Sequence, residues 1–314
     1  MEDVIFMKSY ITLMTKDSYL PFTVALWDSW KKVESKYPFV VAIDNQITEG
    51  CKNKMKELGI DYILIDTSDV DELVSKSKVQ GNWREALKKL SIFKLYQYEK
   101  LVFLDGDTYM LKNIDSLFDM PVFTTTGRYN TYHPETVTTI LGGLFVFEPN
   151  EKDYQAILNL IDDVVENRSD NKKFSVEKFN DEHCLSYIYK DRLNMLGCEW
   201  QYMPHEFNIR DIPWNELYLY HSGRAKGRWL GKRTFSTNDI KYPLSDYDKA
   251  TIIWYCNMLD EINERYVLGY KPQDKTDPVD PSTVELRIPV RKQRKKKQQK
   301  ENLDKETDQV IDLW

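Results

Sequence analysis

An α/β fold with one domain and a mixed, mostly parallel sheet is predicted by three features of this sequence. Four consecutive apolar residues, Leu101-Val102-Phe103-Leu104, run directly into Asp105-Gly106-Asp107, the pattern of a strand covered on both faces. Upstream of them, β-branched runs alternate with segments whose apolar residues recur every three or four positions, as successive βαβ units require. The 314 residues are 41% hydrophobic and 13% aromatic, ample for a core and unlike a disordered chain.

Composition narrows the function classes. A net charge of -6 argues against a general nucleic-acid binder. Cys51, Cys184, Cys198 and Cys256 have no zinc or redox spacing, and cysteines this sparse suit a reducing compartment. Met1-Glu2-Asp3-Val4 lacks the basic and apolar regions of a signal peptide. No apolar run approaches the ~20 residues that span a bilayer, so a soluble cytoplasmic protein is expected.

Taken in order, Tyr10-Ile11-Thr12-Leu13-Met14-Thr15 reads as the first strand. Lys16-Asp17-Ser18-Tyr19 turns the chain, and Pro21 suits the first position of a helix whose apolar face is Phe22, Leu26, Trp30 and Val33. Residues 38–43 and 62–65 read as strands, with a short helix between them that holds Met55 and Leu58 and ends at Gly59. Leu87, Leu90, Phe93 and Tyr96 then predict a helix leading into the Asp105 strand.

Beyond the aspartates, residues 113–118 suggest a turn and a short helix, and residues 122–126 a strand. Residues 142–147 are strand-like, and Gly142 and Gly143 permit a close approach there. Tyr154, Ile157, Leu158, Ile161 and Val165 predict an amphipathic helix. Residues 181–189 read helical with Asn180 or Asp181 as cap. Residues 200–203 and 217–220 suggest short strands, the second delivering a cation-rich loop from His221 to Trp229. A helix is expected from about Tyr247 to Tyr266. After Lys271, four prolines precede Arg291-Lys292-Gln293-Arg294-Lys295-Lys296-Lys297. This divides the chain into a domain over 1–270 and a charged, extended tail over 271–314.

The strand of residues 101–104 delivers Asp105 and Asp107 at its carboxyl end, where ligands bind in open α/β sheets. Two carboxylates there suit a hard divalent cation that also takes substrate phosphates, and Gly106 lets a phosphate or sugar approach the backbone. Two turn-forming aspartates after a core strand would look the same.

Together these residues resemble the glycogenin-like retaining glycosyltransferases of family 8, which have a single GT-A, Rossmann-like domain. The resemblance runs from about Tyr10 to Trp229. It is carried by residues 13–21, Lys89-Leu90, residues 98–108, Asn113-Ile114-Asp115-Ser116-Leu117-Phe118, residues 143–149, Asp181-Glu182 and the His221 loop. It implies a metal-dependent transfer of a hexose from a UDP-sugar to a hydroxyl acceptor. By position, Asp105, Asp107 and His221 match the metal ligands. Mn²⁺ suits an imidazole ligand somewhat better than Mg²⁺.

The resemblance also assigns donor contacts. Leu13, Thr15, Lys16 and Tyr19 match the nucleotide-binding turn, although Tyr19 could equally be a core aromatic. Lys89 and Lys226 match lysines that meet the donor sugar and phosphates, and Arg84 aligns less closely with a donor-binding arginine. Gly106, Gly142, Glu182 and Gly223 complete the expected donor contacts. Asp181 matches an aspartate near the anomeric carbon and, with Lys226, is a catalytic candidate; a helix cap is its competing role.

Several residues depart from the family pattern. Leu141-Gly142 stand where Asn-Ser usually reads the sugar, and Glu182 where glutamine is common, so the donor sugar is open. The loop from His221 to Trp229 is one residue short. These departures support an alternative, a non-catalytic binding or assembly protein on the same fold. The acceptor and a homodimer stay open, and the basic tail could touch anionic membrane or nucleic acid.

Overall fold

The computed structural model describes residues 7–75, 77–79, 81–129, 137–166, 168, 176–204, 211–223, 229, 244–270 and 278–286. The strands are β1 (Met7–Met14), β2 (Phe39–Ile43), β3 (Tyr62–Leu64), β4 (Tyr98–Leu104), β5 (Thr108–Met110), β6 (Thr124–Tyr129), β7 (Val137–Phe147), β8 (Asn194–Leu196) and β9 (Leu219–His221). The helices are α1 (Leu20–Lys32), α2 (Glu49–Leu58), α3 (Ser68–Ser75), α4 (Gly81–Leu87), α5 (Glu151–Val165), α6 (Asp181–Tyr189) and α7 (Asp246–Arg265).

Seven strands form one sheet in the order β3-β2-β1-β4-β7-β6-β8. The half holding β3, β2, β1 and β4 is parallel. β7 then runs antiparallel to both β4 and β6, so the sheet is mixed, as expected for GT-A. β5 and β9 pair separately in a two-stranded antiparallel ladder. That ladder, outside the main sheet, decides the geometry of the site.

The buried-strand reading of residues 101–104 explains itself in the packing. Val102 and Leu104 join the core on one face with Tyr10, Phe22, Leu26 and Tyr255. Leu101 and Phe103 join the core on the other face with Leu90, Phe93, Phe145 and Ile161. Side chains alternate across a strand, so a strand with helices on both faces must be apolar at every position. Each such fully buried side chain contributes about 1.5–3 kcal/mol relative to leaving it in water.

Two expected helix ends, at Gly59 and at Asn180, are present in the structure. Gly59 caps α2 in the left-handed conformation. The Asn180 side chain accepts the His183 amide at the start of α6, so Asn180 is the cap and the Asp181 carboxylate is released for another role. Ser245 and Asp248 form a reciprocal capping box at α7.

The expected helix through Leu87, Leu90, Phe93 and Tyr96 differs. α4 ends at Leu87, residues Lys88–Lys94 wind as a 3-10 helix, and Tyr96 lies exposed beyond it. Leu87, Leu90 and Phe93 are three residues apart, the period at which side chains stack in a 3-10 helix, and all three are fully buried. α3 was not expected; Val70 and Val74 are its buried contribution, too few to stand out. Within the expected tail, residues 278–286 pack on the body: Pro281 is buried and Val284 and Leu286 touch the core.

Candidate active site

β4 stops at Leu104, where Asp105 N–H donates to the Gly143 carbonyl of β7 at 3.0 Å. The chain then turns: the Thr108 amide and hydroxyl both donate to the Asp105 carbonyl, at 3.0 and 2.7 Å. Gly106 is buried at the turn, and a β-carbon there would lie 3.4–3.5 Å from the Thr23 and Thr12 hydroxyls. The aspartates therefore converge through a tight turn.

The turn leads into β5, and β5 pairs with β9 so that Thr108 lies opposite His221. This register places His221 Nε2 3.4 Å from Asp107 Oδ1 and 3.8 Å from Asp105 Oδ2. One ligand atom from each of Asp105, Asp107 and His221 falls within 4.8 Å of the others. Asp107 is held from behind: Ser222 Oγ donates to its Oδ2 at 2.6 Å, and Tyr255 donates to its carbonyl at 3.2 Å. Two carboxylates and one imidazole, converging and braced, fit a divalent cation.

Lys89 ties this cluster to α6. Its ammonium lies 2.9 Å from Asp105 Oδ1 and 2.7 Å from Asp181 Oδ2, and donates to the Gly142 carbonyl at 2.9 Å. Burial alone would lower the Lys89 pKa, but the two carboxylates outweigh it and hold the group above the ordinary lysine value. Asp105, Asp107 and Asp181 set three carboxylates against this one ammonium, a balance that suits a divalent cation.

Gly142 lies at the centre of the arrangement. A β-carbon there would sit 2.5 Å from Asp181 Oδ2 and 3.4 Å from Lys89 Nζ, so the ion pair can close over the strand only because no side chain is present. Glu182 accepts the Gly142 amide at 3.3 Å. Asp181, Glu182, Lys89 and Gly142 thus meet although they come from α6, the 3-10 helix and β7.

The other expected donor residues flank this cluster or lie beyond it. Leu13 and Thr15 are half-buried at the carboxyl end of β1, and the Thr15 hydroxyl faces Glu85 at 3.4 Å. Lys16 pairs with the same Glu85 at 3.6 Å. Tyr19 packs its ring against Phe22 at 5.9 Å. Arg84, on α4, keeps its Nε buried with no hydrogen-bond partner among the described residues, a donor close in sequence to Glu85 and Lys89. Gly223 follows β9 with φ 46°. Lys226 lies outside the described residues.

Sequence reasoning missed Gln201 and Ser222. Ser222 is adjacent to His221 in the chain, and that adjacency could have drawn attention to it. Gln201 Nε2 lies 2.8 Å from His221 Nδ1, a contact made across twenty residues that no local signal announces. A second buried cluster lies at the end of β2. There Lys88 reaches Asp71 at 3.4 Å and Asp44 at 3.8 Å, and burial pushes the Asp44 carboxyl up.

Comparison with known proteins agrees with this geometry. The family model described as glycosyl transferase family 8 matches residues 10–212, and the chain belongs to that family. Mouse (Mus musculus) glycogenin-1 is 27% identical over 154 residues, covering 49% of this chain and 45% of the relative. Galactinol synthase 3 of Arabidopsis thaliana is 28% identical over 116 residues, covering 36% of this chain and 34% of the relative. The chain thus aligns with less than half the length of these relatives.

Among solved structures, the galactosyltransferase LgtC, with donor and acceptor sugar analogs, superposes with TM-score 0.54 at 13% identity. That superposition covers 85% of this chain and 98% of the other. The bifunctional WbbM enzyme superposes with TM-score 0.55 at 15% identity, covering 83% and 52%. The fold is that of the GT-A glycosyltransferases. No helix among the described residues is long and apolar enough to cross a membrane.

Proposed function

We propose that this domain moves a hexose from a UDP-sugar to a hydroxyl acceptor, with a divalent cation held by Asp105, Asp107 and His221. The observation that carries the reading is the convergence of those three ligands beside the Lys89 bridge from Asp105 to Asp181. When bound, the cation would neutralise charge on the departing diphosphate. Mn²⁺ is favoured over Mg²⁺ by the imidazole.

The protein's own groups do the rest. As the bond from the anomeric carbon to the diphosphate breaks, the acceptor oxygen bonds to that carbon and its proton passes to the departing phosphate. The Asp181 carboxylate, held by Lys89, would face the sugar and favour the positive charge that develops on it. The nucleotide would lie against residues 13–19 at the end of β1, the edge where α/β sheets bind ligands. Arg84 Nε is a buried donor with no partner among the described residues, which a diphosphate oxygen could satisfy.

The relatives' names support a UDP-sugar donor in one case and leave the sugar open. One is a putative UDP-glucuronate:xylan α-glucuronosyltransferase, 25% identical over 159 residues; others are glycogenins and galactinol synthases. Leu141-Gly142 give the strand no polar side chain with which to read a hydroxyl. Calorimetric titration of UDP, with and without Mn²⁺, tests the site. Mn²⁺-dependent binding that Asp107→Ala abolishes is expected. Absence of binding under both conditions would leave a non-catalytic protein on a transferase fold.

A further inference from the structure

We propose that Gln201 is a positioning residue that decides which imidazole nitrogen of His221 carries the proton, and so whether His221 can ligate a cation. The inference rests on the reading of Asp105, Asp107 and His221 as a cation site. Gln201 is 2% exposed, and its amide lies 2.8 Å from His221 Nδ1. The other end of the same amide meets the fully buried Thr126 hydroxyl at 2.5 Å. Gly143 lies against the pair: a β-carbon there would collide with Gln201 Nε2 and fall 2.7 Å from His221 Nδ1. The strand therefore leaves out a side chain where the amide and the imidazole meet.

Two complete hydrogen-bond arrangements share these atom positions. In the first, the amide nitrogen donates to Nδ1, so the neutral imidazole carries its proton on Nε2 and points it at Asp107, 3.4 Å away. The Thr126 hydroxyl then donates to the amide oxygen. In the second, the amide is turned end for end. Its oxygen accepts a proton from Nδ1–H, its nitrogen donates to the Thr126 oxygen, and Nε2 presents a lone pair to the two carboxylates. Only the second leaves Nε2 able to bind a metal, because ligation needs an unprotonated nitrogen.

The two arrangements differ in which ring nitrogen of a neutral imidazole carries the proton: one proton leaves Nε2 and one arrives on Nδ1. A primary amide offers a donor and an acceptor of nearly equal shape, and a hydroxyl serves as either. The Gln201–Thr126 pair can thus satisfy His221 both before and after a cation enters. A carboxylate in place of Gln201 could serve only the second arrangement, and an apolar side chain neither.

The test uses the full chain with Gln201→Met, which keeps the shape and removes both hydrogen bonds, and Gln201→Glu, which can only accept. Mn²⁺ affinity in the presence of UDP, read by calorimetry, should fall about 10- to 100-fold in Gln201→Met, the usual effect of losing a partner of a metal-bound imidazole, and recover in Gln201→Glu. Long-range ¹H–¹⁵N NMR of the wild type gives an independent readout, since the chain has only 4 histidines. The His221 proton should sit on Nε2 without metal and on Nδ1 with Mg²⁺ and UDP. Unchanged affinity in Gln201→Met alongside loss in His221→Ala would overturn the role of Gln201, as would one tautomer in both states. Unchanged Mn²⁺ binding in His221→Ala would instead remove the cation-site reading itself, and this inference with it.

Discussion

Replacing Lys89 with methionine should cost this protein about 3 kcal/mol of stability. Lys89 lies 2.7 Å from Asp181, itself 4% exposed, and 2.9 Å from Asp105. Removing one partner of a buried ion pair costs about 3–5 kcal/mol because the other charge is left uncompensated. The low end applies because the Asp105 side chain keeps 24% exposure and water can solvate it. At about 2 °C per kcal/mol for a chain of this size, the melting temperature should fall by about 6 °C. Thermal unfolding of both proteins near neutral pH, in chelator, measures this directly. A melting temperature within about 1 °C of wild type would refute the reasoning.

Other outcomes follow from the same geometry. Asp107→Asn should weaken Mn²⁺-dependent UDP binding by at least about tenfold, read by calorimetry, while Ser222→Ala, which removes the 2.6 Å brace on Asp107, should give a smaller loss. Gly142→Ala places a β-carbon 2.5 Å from Asp181 Oδ2; it should lower kcat for donor hydrolysis or transfer and leave UDP affinity near wild type, checked by coupled UDP release. Asp115, despite burial that acts to raise it, is held below its ordinary pKa of 3.8 by hydrogen bonds from Ser35, the Lys36 amide, Tyr10 and Asn113. Its stabilisation is therefore full above that value and is lost as pH falls through the lower folded-state pKa. Asp115→Asn should flatten the acid limb of a melting-temperature profile.

How far the sequence reached can be judged residue by residue. Leu101 to Leu104 announced a strand covered on both faces, because a strand with helices on each side has no position where a polar residue is free of cost. Gly59 and the Asn180-Asp181 pair announced helix ends, because a cap acts within three or four residues of itself; the Ser245 cap of α7 did not stand out. Asp105, Asp107 and His221 could be named because a family resemblance put them at recognisable places in the chain. Their distances could not be. The approach of His221 to the aspartates is set by the pairing of Thr108 with His221 in a ladder of three residues on each side, too short to leave a periodic signal. The winding of residues 88–94 as a 3-10 helix was likewise decided by packing, since a three-residue apolar spacing fits both helical forms when read alone. Lys89 with Asp181 across 92 positions, and Gln201 with His221 across 20, belong to tertiary structure alone. Ion pairs and amide contacts form between whatever side chains the folded sheet brings within reach, and separation along the chain carries no trace of that.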